Sequence, residues 1–335
     1  MKKNMEGVLI TGALGYLGQI VLKRLYQDLE TGRITTLVAM DVKEQPLDQQ
    51  LTGVIYLQAD IRDQSLWKQL SNHQITTVIH LAAIIDSQSS SRDFQYEVDV
   101  LGTKNIIEAC LKVEAKRIVI SSSGAAYGYY ADNPDWLRET DQVRGNDLFA
   151  YSAHKRLVEE MLAQYRIEQP QLEQVIFRVS TILGATTRNL ITNLFDKKQV
   201  LGIKGHQSPY VFVWDEDVAA CMHQAVFSEQ VGIYNLTGDG AITNPDLAKI
   251  LGKRYLSIPA GVLKMGLWIG NKLGWTQYGP DQILFIQYRP VLDNRKLKEV
   301  FGYIPQKSSL ETFLFYLKSN QKTIGAIDEI EVLFP

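Results

Sequence analysis

The run Val8-Leu9-Ile10-Thr11-Gly12-Ala13-Leu14-Gly15-Tyr16-Leu17-Gly18 limits what this chain can fold into more than any other stretch. It reads as a buried strand, a glycine turn and the opening of a helix. The glycines keep the spacing G-x-x-G-x-x-G, and each has a separable task. Gly12 turns the chain with positive φ, Gly15 lets backbone approach a ligand, and Gly18 lets the helix pack close on the strand. The N–H groups and positive end of the new helix then face the loop, a natural seat for a pyrophosphate. Such turns also occur without a ligand, so the reading gains its weight from what lies downstream.

Residues 16–29 carry apolar side chains at helical spacing, and 34–40 read as a second strand with Asp41 at its carboxyl end. An acid about 20 residues past a glycine turn can accept both ribose hydroxyls of an adenosine and repel a 2′-phosphate. That favours NAD over NADP, with Lys43 the one local charge against it. Residues 54–57 predict a third strand, leading to Asp60-Ile61-Arg62-Asp63. Asp63 is placed to N-cap the helix through Leu70, and Asp60 to face the adenine edge. Residues 77–81 predict a fourth strand closing in His80-Leu81-Ala82-Ala83, whose small residues leave room for a cofactor; His80 reads as a hydrogen-bonded core residue. A helix over 94–113 and a fifth strand over 117–121 follow. This alternation implies a parallel sheet with helices on both faces and a ligand outside the strands' carboxyl ends.

The fifth strand runs into Ser121-Ser122-Ser123-Gly124-Ala125-Ala126-Tyr127-Gly128. After a polar loop over 129–147, a helix beginning near Leu148 carries Tyr151-Ser152-Ala153-His154-Lys155. Tyrosine and lysine four apart share one helical face. An ammonium beside a phenol stabilises the phenolate, giving a proton acceptor for alcohol oxidation and a donor for ketone reduction. His154 falls on another face and reads as structural.

Bulk properties narrow the alternatives. Thirty-five basic and 37 acidic side chains leave a formal charge of −2 over 335 residues, which gives no broad attraction to nucleic acid. Cys110 and Cys221 stand far apart and read as reduced core residues, as suits a cytoplasmic protein. The start of the chain does not resemble a signal peptide, and no apolar run reaches the roughly 20 residues of a membrane span. Segment 258–275 is the most apolar late stretch, and its Pro259, Lys264, Asn271 and Lys272 predict an amphipathic helix packed on the domain. The five histidines lack metal-ligand spacing, so no metal is expected, and the serine run lacks the G-x-S-x-G elbow of a hydrolase.

Taken together, these residues resemble the extended short-chain dehydrogenases/reductases, the group of NAD-dependent epimerases, dehydratases and 3β-hydroxysteroid-type dehydrogenases. The similarity rests on the glycine turn, Asp41, Asp60-Ile61, His80 to Ala83, Asp99-Val100-Leu101-Gly102-Thr103, the serine stretch to Gly128, and Tyr151 to Lys155. It continues through Arg178 to Gly184, Asp217-Val218-Ala219, Tyr234-Asn235-Leu236 and residues 293–303. The resemblance implies a doubly wound parallel (Rossmann) sheet over 1–180 and a smaller C-terminal substrate lobe over 181–320. Segment 208–225, with a strand at 211–214, is expected to return to the main sheet; the tail 321–335 has no assigned role. NAD is the implied cofactor, held by Gly12, Gly15, Tyr16, Leu17, Gly18, Asp41, Asp60, Ile61, Leu81, Ala82, Ala83, Tyr151 and Lys155. By the same resemblance Tyr151 is the acid/base, Lys155 holds the nicotinamide ribose, and Ser123 bonds the reacting oxygen, with Ser122 its competitor. Helices carrying Ile106 and Leu157 are the implied homodimer contact. The family's asparagine before Gly-Thr is Asp99 here, which alters local hydrogen bonding.

Departures from the family guide the choice of reaction. Gly124-Ala125 stand where dehydratases carry Asp-Glu, so dehydration is not expected. Thr181 stands where sugar-nucleotide epimerases commonly have asparagine, and Ser208-Pro209-Tyr210 lack the phosphate-binding arginine; Lys204 or Arg289 are possible substitutes. The late aromatics Tyr210, Phe212, Trp214, Trp268, Trp275, Tyr278 and Phe285, with Leu267, read mainly as core or interface, a few lining a pocket of modest polarity. The first expectation is therefore an NAD-dependent oxidoreductase acting on a secondary alcohol or ketone. Nucleotide-sugar 4-epimerase with retained NAD is the alternative, and a non-catalytic NAD-binding protein the third.

Overall fold

Alternation of strand and helix, broken only by a short 3-10 turn between the second and third strands, gives the first half its architecture. The computed structural model describes residues 6–84, 90–274, 279–280, 283–327 and 330–335. Strand β1 (Glu6–Thr11) leads through the glycine turn to helix α1 (Tyr16–Glu30), then β2 (Ile34–Asp41), β3 (Ile55–Gln58), α2 (Leu66–Leu70) and β4 (Thr77–His80). Helix α3 (Arg92–Tyr96) passes through a π-helical turn at Glu97–Gly102 into α4 (Thr103–Lys112), where one continuous helix was expected. Strand β5 (Arg117–Ser123), α5 (Ala150–Glu168) and β6 (Glu173–Val179) follow. Asp63 does not cap α2. Its Oδ1 accepts the N–H of Ser65 at 2.8 Å, and Ser65 is the cap residue.

The second half adds β7 (Thr181–Leu183), α6 (Leu190–Phe195), β8 (Gln199–Ile203), β9 (Phe212–Trp214), α7 (Asp215–Phe227) and β10 (Gly232–Leu236). Then come β11 (Ala241–Ile242), α8 (Asn244–Ile250), β12 (Arg254–Ile258), α9 (Ala260–Lys272), α10 (Ile283–Gln287), α11 (Ser309–Ser319) and β13 (Val332–Leu333). The main sheet has seven strands in the order β10-β6-β5-β4-β1-β2-β3, all paired in parallel.

One strand sits elsewhere than expected. Segment 211–214 does not rejoin the main sheet: β9 pairs with β7 in a separate two-stranded ladder. It is β10 that returns, against β6. Helix α7, which follows β9, does pack on the main domain against α1.

A parallel sheet is covered on both faces, and its strands alternate side chains between two cores. Val8 and Ile10 of β1 enter one core with Val21 and Leu25 of α1 and Met222 of α7. Leu9 enters the other with Met40, Ile106 and Leu162. Burying each such aliphatic side chain contributes about 1.5–3 kcal/mol, so a one-residue slip of β1 would reverse both faces at once. Ile106, on one of the helices implied for the dimer contact, turns its own side chain into this core. Cys110 and Cys221 are buried free thiols, as read from the sequence; burial pushes the Cys110 thiol up to about 12.

A third core holds the second half together. Phe195, Phe212 and Phe313 cluster there, Phe195 lying edge-on to Phe313 at 5.0 Å and Phe212 stacking on Phe313 at 5.3 Å. Tyr210 and Phe212 are therefore core residues, and Trp214 meets Phe315 at 5.7 Å. Trp275 and Tyr278 lie outside the described residues. The apolar helix expected to pack on the domain does so only in small part: within α9 only Gly270 is buried.

Candidate active site

Three carboxyl ends of neighbouring strands, β1, β2 and β4, form the glycine-turn site. Gly12 has φ 68°, and a Cβ there would stand 2.8 Å from the Ala82 nitrogen, so the turn lies flat on the strand end after His80. A Cβ on Gly18 would lie 2.1 Å from the Gly12 carbonyl oxygen, so helix and turn touch as the spacing implies. Gly15 differs: its Cβ would meet only that same oxygen, at 3.2 Å, and otherwise open space. Gly15 is also the N-cap of α1, with no side-chain cap and no acid in the first turn. The helix's own side chains thus leave its positive end uncompensated, which fits an anionic phosphate group.

Asp41 ends β2 beside this turn. Its Oδ2 accepts the Leu14 N–H at 3.0 Å and its Oδ1 the Lys43 N–H at 3.1 Å. The two bonds fix the carboxylate and leave lone pairs on both oxygens for ribose hydroxyls. Asp60 is committed differently: Arg62 folds back on it, Nη2 to Oδ2 at 2.7 Å, and that bond holds its carboxyl below the usual range. The Ile61 side chain is buried against Gly102, so only its backbone can meet a ligand. Leu81 and Ala82 bond back to Thr11, through its carbonyl at 3.1 Å and its hydroxyl at 3.4 Å, which holds the floor of the groove rigid. His80 beneath is buried, bonded to Thr11 Oγ1 at 2.7 Å and Thr103 Oγ1 at 2.9 Å. Burial first, and the charge of Lys155 second, push its pKa down to about 3.

The tyrosine–lysine pair stands on the first turns of α5, where β5 ends. Lys155 Nζ donates to the Ser121 carbonyl at 2.9 Å and lies 5.6 Å from the centre of the Tyr151 ring. Side chains on a strand alternate faces, and the serine run obeys this. Ser122 is buried and donates to Glu159 at 2.5 Å. Ser123 is half-buried, and its hydroxyl oxygen accepts the Ala125 N–H at 3.1 Å, leaving its proton to donate.

A buried network locks α5 to the sheet. Arg178 of β6 donates to Glu159 (Nη2 to Oε2, 2.6 Å) and to the Tyr127 hydroxyl at 2.8 Å. Tyr127 in turn donates to Asn235 Oδ1 at 2.8 Å. Farther along, Asp217 accepts the Tyr303 hydroxyl at 2.7 Å and the Gln306 N–H at 2.9 Å, so two distant matched segments meet.

Three sets of contacts could not be read from the sequence. Asp99, within the π turn, accepts the Ile84 N–H at 2.8 Å and faces His154 Nδ1 at 3.2 Å, so the substituted carboxylate has a histidine partner. Tyr16, expected to bind the cofactor, donates its hydroxyl to Asp215 at 2.5 Å and accepts from Thr187 at 2.8 Å. Burial, then the bond to Asp215, raise its pKa to about 12. Finally Arg289 lies 3.9 Å over the Tyr210 ring and 5.0 Å from Phe285, which meets Tyr129 at 5.1 Å. Burial raises the Tyr129 pKa, and the charge of Arg289 opposes it. Arg289 Nε is buried without a hydrogen-bond partner among the described residues.

The turn, the uncompensated helix end and the fixed acid define a dinucleotide-binding α/β protein, and comparison with known proteins agrees. The model of the NAD dependent epimerase/dehydratase family matches residues 8–237. A protein of Mycobacterium tuberculosis named only as uncharacterised is 22% identical over 322 residues, 94% of this chain and 84% of that one. UDP-glucose 4-epimerase of Neisseria gonorrhoeae is 28% identical over 211 residues, 61% of this chain and 60% of that one. Among solved structures, the Thermus thermophilus UDP-glucose 4-epimerase complex with NAD superposes with a TM-score of 0.69 at 22% identity, over 96% of this chain and 99% of that one; the likeness is one of fold. This chain belongs to the NAD-dependent epimerase/dehydratase family. It is an NAD-dependent enzyme with a Rossmann fold. Among the described residues no helix is long and apolar enough to cross a membrane, and no group of ligands could hold a metal ion.

Proposed function

We propose that this enzyme transfers hydride reversibly between NAD and a secondary alcohol or ketone carbon of its substrate, with Tyr151 exchanging the proton. The observation that carries the reading is the fixed lysine: Nζ, tethered to the Ser121 carbonyl at 2.9 Å, presents its charge 5.6 Å from the Tyr151 ring. Bound NAD supplies the hydride acceptor and, once reduced, the donor. Tyr151 as phenolate would take the hydroxyl proton, with Lys155 stabilising that form. Ser123, whose hydroxyl proton is free to donate, would hold the reacting oxygen. Gly12, Gly15, Gly18 and the first turn of α1 at Tyr16 and Leu17 would seat the pyrophosphate, and Asp41 the adenosine ribose. The backbones of Ile61 and Leu81 to Ala83 would line the groove beside them. Asp60, engaged by Arg62, would reach the adenine edge only through its remaining lone pairs. The substrate would lie between the sheet's carboxyl edge and the lobe built after residue 181, in a homodimer by family analogy.

A second reading is favoured by one side chain. Arg289, cationic, with a buried Nε lacking a partner among the described residues and stacked near Phe285, which meets Tyr129, suits the diphosphate of a nucleotide sugar. The same three residues would then oxidise and re-reduce one sugar carbon on opposite faces, with NAD retained, as the name of the gonococcal relative suggests. One experiment separates the two: purified enzyme is incubated with UDP-glucose and, in parallel, with simple secondary alcohols plus NAD. Interconversion of UDP-sugars without net NADH supports the epimerase. Net NADH from an alcohol supports the oxidoreductase. If neither substrate class reacts with the NAD-loaded protein, both readings are wrong.

A further inference from the structure

Helix α9 carries apolar side chains that the fold does not use. Val262, Met265, Ile269 and Leu273 are 55%, 59%, 41% and 55% exposed, and their spacing of three and four sets them in one stripe along the helix and its C-cap. Lys264, Trp268 and Lys272 recur every four residues and form a second stripe beside it. Trp268 is 49% exposed, with the Lys272 ammonium 4.3 Å from its ring. Between the stripes and Pro280 runs an open groove of about 330 Å³. Large apolar residues in contiguous rows on a surface mark an interaction site.

We propose that this face of α9 docks the enzyme on an anionic lipid surface. Charge selects this occupant. The chain as a whole is slightly acidic, yet no acidic residue occurs between Asp246 and Asp281, while Lys249, Lys253, Arg254, Lys264 and Lys272 do. Pairing α9 with its copy in a second chain would bring cations against cations with no acid on the helix to answer them. A lipid surface answers both stripes: aliphatic side chains enter the acyl boundary, tryptophan sits at headgroup level, and lysines meet the phosphates. Helix α9 packs against α10, which carries Phe285 beside Tyr129, so the docked face adjoins the lobe's side of the active site. The inference does not depend on which reaction the site performs.

The test uses the full chain with NAD and sedimentation with vesicles of phosphatidylcholine alone, or with about a third phosphatidylglycerol. Wild type is expected on the anionic vesicles and about tenfold less on the neutral ones. Met265→Glu with Ile269→Glu should lower binding at least about tenfold. Lys264→Gln with Lys272→Gln should remove the preference for anionic lipid. Both variants change exposed positions and should bind NAD as wild type does, which establishes that they are folded. Wild type that stays in the supernatant overturns the proposal, as does wild-type binding that the glutamate pair leaves unchanged. A light-scattering mass of two chains that the glutamate pair halves, without vesicle binding, overturns it in favour of a second copy.

Discussion

Replacing Glu159 by alanine strikes the joint between the catalytic helix and the sheet. The Arg178 and Glu159 side chains are 4% and 2% exposed. Glu159 accepts Arg178 Nε at 2.9 Å and Nη2 at 2.6 Å, and the Ser122 hydroxyl at 2.5 Å. Without it the guanidinium keeps only the Tyr127 hydroxyl at 2.8 Å and the Glu139 carbonyl at 3.2 Å, both neutral. Removing one partner of a buried pair leaves an uncompensated charge and costs about 3–5 kcal/mol. That is a large share of the 5–15 kcal/mol by which folded proteins are stable. Glu159→Ala should therefore lower the urea midpoint strongly, and Glu159→Gln, which keeps an acceptor, should lower it less. Glu159→Met combined with Arg178→Met removes both charges and should recover at least half of the alanine loss. A cost for Glu159→Ala below about 1 kcal/mol, or a double variant no better than the single, would refute the reasoning.

Three further outcomes follow from the geometry. Gly18→Ala drives a methyl into the Gly12 carbonyl and should destabilise the fold, whereas Gly15→Ala should leave the urea midpoint near wild type yet weaken NAD binding by filling the groove; calorimetric titration with NAD reads the difference. His80 is held below its unfolded value of 6.5, at about 3, so its contribution is complete above pH 6.5 and drains away as acid protonates the unfolded chain first. Between about pH 7 and 5 wild type should lose about 2 kcal/mol more than His80→Gln in urea titrations; equal losses would contradict the buried neutral ring. Tyr16→Phe takes the hydroxyl donor from Asp215 Oδ2, while Oδ1 keeps the Glu216 N–H at 2.9 Å, and should cost about 1–3 kcal/mol on the same assay; an unchanged midpoint would show that the bond is idle.

What could be read in the sequence was written in local spacing. The glycine turn needs three small residues at fixed intervals, and the acid ending β2 follows at a distance set by one helix and one strand. The tyrosine–lysine pair needs only one face of a helix. The histidine at the end of β4 reads correctly as core, because a small-residue strand end offers it no solvent. Strand pairing is a different matter. Phe212-Val213-Trp214 is strand-like by composition, but nothing local says that its partner is Thr181–Leu183 while Gly232–Leu236 takes the sheet edge. Helix α9 misleads for a related reason: apolar content suggests burial, but only the fold shows which face is covered. The Asp99–His154 contact and the Arg289 stack join residues 55 and more positions apart, and no periodicity encodes such meetings.

The phenol of Tyr151 on α5 should exchange the hydroxyl proton while hydride leaves or joins the reacting carbon. Single-turnover hydride transfer by the NAD-loaded enzyme, measured for wild type and Tyr151→Phe on the substrate the screen identifies, tests it directly. With both proteins saturated with NAD, the variant's rate should fall roughly 10²–10⁴-fold. Transfer at the wild-type rate from the phenylalanine variant would contradict it.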